Sequence, residues 1–369
     1  MNSKVKFAVL FILVIAVLLI VPNISNAATT AKDEESLNSA IQSVEEGGTV
    51  ELQGNITVTK PIVIQKKLTI DGKGYTVSGS SDWTSTSGNQ TMFTAQLEAG
   101  KLTLKDIDLN NGPKYGVQSY NGASVILNNV SITGFRYGGV LVNGGYVEII
   151  DLHLGENGTG ANNGIEIDQG ASVTKSPTLV MNGTLTSDST ENVVRAAENG
   201  NLTSFIISNT ESTTNKIFLA GDSLVLTDEN NNIISETTVP DKATGTTTGK
   251  KQVIITIING DENNRITVNE GESITEDMIK SNITVKEGYQ IDGYFTDESF
   301  TNSFDFNSKL DANTTIYVRT SKIPVTPEPE PEEEEKDEVP NTGIQDYTGI
   351  AVLTTLFALS SMIIISRKK

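Results

Sequence analysis

The chain has no cysteine among its 369 residues, a single histidine and a single tryptophan. Without cysteine there is no disulfide framework and no thiolate zinc site. Basic side chains are scarce too: 27 Lys and Arg stand against 46 Asp and Glu, a formal net charge of -19. A surface of that sign repels nucleic acid, anionic membranes and acidic polysaccharides unless a metal ion bridges them. What remains is rich in Thr, Asn, Gly and aliphatic strand formers, the composition of an all-β chain. The length leaves room for about two domains plus targeting segments.

Between Leu102 and Ile167 one pattern occurs three times. LTLKDIDL starts at Leu102, VILNNVSI at Val125 and VEIIDLHL at Val147, so the copies are 23 and 22 residues apart. Their apolar residues fall in register: Leu102, Val125 and Val147; Leu104, Leu127 and Ile149; Ile107, Val130 and Leu152; Leu109, Ile132 and Leu154. A further short segment follows each copy, at Gly116, Gly139 and Gly164. Strand-only periods of this length predict a parallel β-helix, in which coils stack about 4.8 Å apart and like residues align into ladders. Asp106, Asn129 and Asp151 fall at the corner between two strands of each period, where Asn or Asp suits a tight bend. Looser copies continue through Ile217–Leu219, Leu224–Leu226 and Ile233-Ile234, giving six or seven coils that end near Pro240. Ahead of them, Leu37, Ala40, Ile41 and Val44 share one face of a helix predicted over Asp33–Glu46, placed to cap the open end of the coil.

The organisation read from the chain is a signal peptide (1–27), a β-helix (28–240), a Thr-Gly linker (241–250), a small second unit (251–320), an acidic Pro-rich stalk (321–338) and a terminal segment (339–369). Lys4 and Lys6, the apolar run to Val21 and Ser25-Asn26-Ala27 set signal cleavage between Ala27 and Ala28. The stalk cannot bury an apolar face, and its like charges keep it extended. At the far end Val339-Pro340-Asn341-Thr342-Gly343 precedes an apolar segment over 349–365 and a basic Arg367-Lys368-Lys369 tail. The apolar segment is long enough to halt export as a transient membrane helix, and the basic tail stays cytoplasmic.

These residues carry three resemblances. Residues 36–77 and the later coils resemble pectate-lyase-like right-handed β-helix proteins, among them adhesive domains of surface proteins. Gly288-Tyr289, Gly293-Tyr294-Phe295, Asp297, Phe304-Asp305-Phe306 and Ile316-Tyr317 resemble the Listeria–Bacteroides repeat, which implies a β-grasp-like module. The terminal segment resembles the LPxTG sorting signal of Gram-positive surface proteins, with Val339 in place of the usual leucine. That resemblance implies a sortase as partner: its thiolate attacks the Thr342 carbonyl and passes Thr342 to an amine of peptidoglycan, splitting one acyl transfer into two steps. The form left by both cleavages carries 22 basic and 45 acidic side chains, a net charge near -23.

Fold does not fix chemistry, so any catalytic site must be found in residues. Three outward columns emerge: Thr103, Ile126 and Glu148; Asp108, Ser131 and His153; and Gln118, Leu141 and Glu166. The second is the candidate catalytic column, but it lacks the second carboxylate or arginine that polysaccharide cleavage needs. Arg136 and Arg195, the two arginines of the coil region, have no aligned carboxylate in this reading. No catalytic residue, cofactor or resident metal is therefore assigned, and Ca²⁺ enters only if the chain is a lyase. Trp83, in a polar interruption over Gly79–Thr91, is the candidate contact for a sugar ring. The expectation is a wall-anchored adhesin with an unknown glycan or protein ligand. A polysaccharide lyase or hydrolase is the alternative, and a non-binding spacer the third reading.

Overall fold

The computed structural model describes residues 29–158, 164–198, 200–210, 213–249 and 251–324. The signal peptide, the Ala27–Ala28 junction, most of the stalk, the Val339–Gly343 motif and the 349–365 segment lie outside the described residues. No described helix is long and apolar enough to cross a membrane.

The chain opens with β1 (Thr29–Ala31) and α1 (Glu34–Ser43). Asp33 caps the helix: its carboxylate accepts from Ser36 N at 2.8 Å, and the Ser36 hydroxyl accepts in return from Asp33 N at 3.1 Å. At the other end the Lys66 ammonium donates to Gln42 O at 2.9 Å and also to Val44 O, a cation where the helix leaves carbonyls unpaired. The helix runs three residues shorter than Glu46 because Val44 leaves helical geometry. Leu37, Ala40, Ile41 and Val44 are buried against the first coil, so the expected cap is in place.

Seven coils follow. They comprise β2 (Thr49–Leu52), β3 (Ile56–Val58) and β4 (Ile62–Ile64); β5 (Lys67–Asp71), β6 (Thr76–Gly79) and β7 (Phe93–Gln96); β8 (Lys101–Gly112) and β9 (Tyr115–Tyr120); β10 (Ser124–Phe135) and β11 (Gly138–Asn143); β12 (Tyr146–Leu154) and β13 (Ile165–Asp168); β14 (Thr178–Ser187) and β15 (Val194–Ala196); and finally β16 (Ser204–Asn209). All their pairings are parallel, coil on coil, which makes this an all-β parallel β-helix. From β8 onward two segments of each period join into one bent strand. Asp106 and Asn129 make the corner at φ +48° and +55°, and Asn129 Nδ2 donates to Asp106 Oδ1 at 2.8 Å. Asn and Asp tolerate this left-handed geometry better than other side chains. Asp151 has no such φ; there the ladder slips against β14, which carries Gly183.

The inward ladders are those of the repeat. Val50, Ile70, Leu104, Leu127, Ile149 and Met181 stack rung on rung, each fully buried. A second sheet, in the order β15-β13-β11-β9-β7-β4, faces them with Ile62, Phe93, Val117, Val140, Ile165 and Val194. Each coil alone leaves these side chains wet; stacking buries them at about 25 cal/mol per Å².

Two expectations fail beyond β16. Residues 217–239 are not coils but an antiparallel meander of β17 (Lys216–Ala220), β18 (Ser223–Thr227) and β19 (Ile233–Thr238). Its strands lie too close in sequence for a full turn, and Gly221-Asp222 closes a two-residue hairpin with Gly221 at φ +66°. The 241–250 stretch is not a free linker either. Within it β20 (Thr244–Thr248) pairs in parallel with β16 as a last rung. Gly245 is there because a Cβ would meet Phe205 and Leu219 at 2.5 Å.

The second unit is a mixed sheet of β21 (Gln252–Asn259), β22 (Glu262–Asn269), β23 (Tyr289–Phe295) and β24 (Thr314–Lys322), in the order β22-β21-β24-β23, with α2 (Glu276–Lys280) between its hairpins. The central β21–β24 pair is parallel and both outer pairs are antiparallel, as a β-grasp-like module requires. The meander joins the two units. One face sends Ile217, Leu224 and Leu226 into the coil core; the other packs Phe218, Ala220 and Val225 on Ile254 of β21.

Candidate functional site

The candidate catalytic column is aligned but not assembled. Asp108, Ser131, His153 and Thr186 occupy successive rungs of the outer face. His153 Nδ1 lies 3.0 Å from Thr186 Oγ1, and its Nε2 is 3.6 Å from Asp188 Oδ1, so the imidazole turns away from Ser131 and Asp108. Among the described residues no hydrogen bond links Asp108, Ser131 and His153, and no group of three His, Asp or Glu side chains could hold a metal ion.

Trp83 does not form an open sugar platform. It is 8% exposed, counted within the coil core, and donates Nε1–H to Gln90 Oε1 at 2.6 Å. The polar interruption packs down because its own amides find partners. Asn89 Nδ2 donates to Thr94 Oγ1 at 3.1 Å, and Lys114 Nζ donates to Gly88 O at 2.7 Å.

Beside this segment lies the outer face of the second sheet, and there the third predicted column acquires a different character. The rungs run Thr94, Gln118, Leu141, Glu166 and Arg195. All but Arg195 are 8% exposed or less, so an outward column has become a covered floor. A cleft of about 360 Å³ stands over it. Gln96, Tyr120 and Asn143, two residues further along each strand, form one side. Asn89, Lys114 and Tyr115 form the other.

The floor continues past Leu141 into buried charge. Glu166 Oε2 accepts from the Tyr115 hydroxyl at 3.1 Å and lies 3.4 Å from Arg195 Nε. Arg195 therefore does align with a carboxylate, contrary to the sequence reading. Burial pushes the Glu166 carboxyl above its ordinary value, while the Arg195 charge and the Tyr115 hydrogen bond oppose it. Asp168, on the same face of β13, is also raised by burial, although Gln169 N donates to it at 2.7 Å. Two carboxyls of raised pKa beside a cleft mark a functional candidate on physical grounds.

A second charged patch behaves as structure. Asp71 is 5% exposed; burial would raise its pKa, but the Lys73 backbone N–H and the Lys73 and Lys105 ammonium groups outweigh that and leave it lowered. Lys73 also reaches Glu51 at 2.9 Å, tying successive rungs together.

The segment matched by the family "Putative pectate lyase-like adhesive domain" is residues 28–137. It takes in α1, the first coils and the cleft residues from Asn89 to Tyr120, and it stops before β11 supplies Leu141 and Asn143. No curated protein matches the chain.

Proposed function

We propose that the chain is a surface adhesin, exported, fixed to the cell wall through Thr342, and binding glycan or protein through the outer face of its β-helix. The observation that carries the reading is the adhesive-domain match falling on the coils that build most of the cleft. Among the described residues both ends of the coil are covered, by α1 and by the β17–β19 meander, which disfavours end-to-end stacking on a copy of itself. The β-grasp-like unit and the acidic stalk then act as a spacer between the coil and the wall.

A second reading, polysaccharide cleavage, is favoured by Glu166 and Asp168, two raised carboxyls on one strand face. Against it, Glu166 is occupied by Arg195 and Tyr115. One set of measurements separates the readings. Cells expressing the full chain are fractionated, and the wall-bound form is examined for a C-terminus at Thr342 joined to a peptidoglycan amine. The same protein is tested for binding to glycan and protein arrays, and for unsaturated ends or new reducing ends with and without Ca²⁺. Wall linkage and binding without cleavage are expected. Recovery of intact chain with its terminal lysines from the wall would sink the anchoring, cleavage would establish the enzyme, and a folded chain that binds nothing would leave only a spacer.

A further inference from the structure

Gln118 sits at the centre of the cleft floor, between Thr94 and Leu141, and is 8% exposed. Its carboxamide has no hydrogen-bond partner among the described residues, although it lines the cleft. Its neighbours are engaged. Thr94 Oγ1 is held by Asn89, Asn143 Oδ1 accepts from Gly170 N at 2.8 Å, and Lys114 is bound to Gly88 O. The carboxamide atoms are not among the fully buried unpaired polar atoms of the described residues, so they open to the cleft and are free for whatever enters it. The carboxamide offers two N–H donors and a carbonyl acceptor toward the cleft.

We propose that this cleft seats one uncharged pyranose unit of a glycan, with Gln118 as the group that reads adjacent hydroxyls. The inference rests on the binding role proposed above and names its ligand class. A sugar hydroxyl both donates and accepts, so a pair of them matches a carboxamide. Leu141 gives the C–H face of a ring an apolar contact, and Tyr120 adds an amphipathic edge. The volume lies near the lower end of the roughly 300–1,000 Å³ span of small-molecule sites, which suits a single ring. Acidic sugars are disfavoured by the carboxyls of Glu166 and Asp168, one rung beyond Leu141 and Asn143, and by the net charge of -19, while Lys114, the one charged side chain in the lining, keeps its charge and gives one N–H to Gly88 O.

The test uses the full chain and immobilised oligosaccharides of glucose, galactose and mannose, with oligogalacturonates beside them. Binding to one or more neutral series and none to the galacturonates is expected. Gln118→Met, of similar length and without the carboxamide, should weaken that binding about tenfold. It should leave the melting temperature unchanged, because no hydrogen bond within the described residues is lost. A merely structural glutamine would instead give a lowered melting temperature, and that result overturns the inference. Tyr120→Phe at the rim is the second variant should Gln118→Met not fold; about a threefold loss is expected, and unchanged affinity counts against the site. Glycan binding that survives Gln118→Met, or binding to galacturonates alone, refutes the cleft assignment and leaves the adhesin reading standing. Binding to proteins with a blank sugar array does the same. Cleavage of a bound neutral glycan that Gln118→Met abolishes refutes the adhesin reading and keeps the sugar site.

Discussion

Replacing Arg195 with methionine should destabilise the chain by about 2–3 kcal/mol near neutral pH and by much less in mild acid. The arginine faces a carboxylate whose side chain is 9% exposed, and its own side chain is 19% exposed. Removing one partner of a fully buried pair costs about 3–5 kcal/mol; the partial exposure of Arg195 puts this pair just below that range. The pH dependence has a definite sign. Glu166 titrates near 4.5 in an unfolded chain, and burial raises it in the fold. Its stability contribution is then fully present below the unfolded value and is lost as pH rises through the folded one. Arg195 holds the folded value down, so its loss raises that value further and the variant falls behind wild type progressively above about pH 4.5. Asp168 also feels the Arg195 charge and moves in the same direction. Urea unfolding at about pH 4, 5.5, 7 and 8 reads the difference in wild type, Arg195→Met, Glu166→Gln and the double variant. In the double variant the dependence should shrink to the smaller share of Asp168. A deficit that is constant across this range, or as steep in the double variant as in the single, would refute the argument.

Asn129→Ala should cost about 2 kcal/mol, combining a left-handed backbone position with loss of the Asp106 hydrogen bond, whereas Asn129→Gly should cost about half as much; equal losses in thermal unfolding would contradict the corner assignment. Leu127→Ala, fully buried mid-ladder, should cost about 3 kcal/mol, against within about 0.5 kcal/mol for Ile126→Thr on the outer face. A shared cost for the two would mean the register is wrong. Ser119 sits in the inward ladder between Ala95 and Val142, and its buried hydroxyl has no partner, so Ser119→Ala should raise stability by about 1 kcal/mol. A loss in the same unfolding assay would place an unseen acceptor there.

The ladders were legible because the interior of a coil admits little besides aliphatic side chains, and alternation with a fixed offset names them residue by residue. Asp106 and Asn129 were legible for a related reason: a corner in left-handed geometry narrows the choice to Asn, Asp or Gly. The meander was misread because alternation alone cannot distinguish a coil strand from a hairpin strand. Leu219 and Leu224 are joined across a two-residue Gly221-Asp222 turn, so the spacing and the turn chemistry carried the distinction, not the apolar pattern. Thr244–Thr248 was hidden in the opposite way. Its inward position is Gly245, required by the Phe205 ring, and a composition that elsewhere means flexibility here means close approach.

The site obeyed different rules. Outward residues of a solenoid are free to vary, so nothing in their period says which will be covered. Gln118 and Leu141 share their cleft with Gly88, Asn89 and Thr91 of the segment around Trp83, and where such a segment lands is a tertiary outcome that no local pattern encodes. The Glu166–Arg195 pairing could have been found. Val194-Arg195-Ala196 repeats the apolar-polar-apolar form of Ile165-Glu166-Ile167, but the interval has lengthened to 29 residues, past the period on which the alignment relied. Coil lengthening between paired strands enlarges the connecting loop without shifting the register. Insertions in a parallel β-helix can therefore remodel an outer face while the ladders stay intact, and a cleft with an unpaired Gln118 can be carried on a core that would be stable without it.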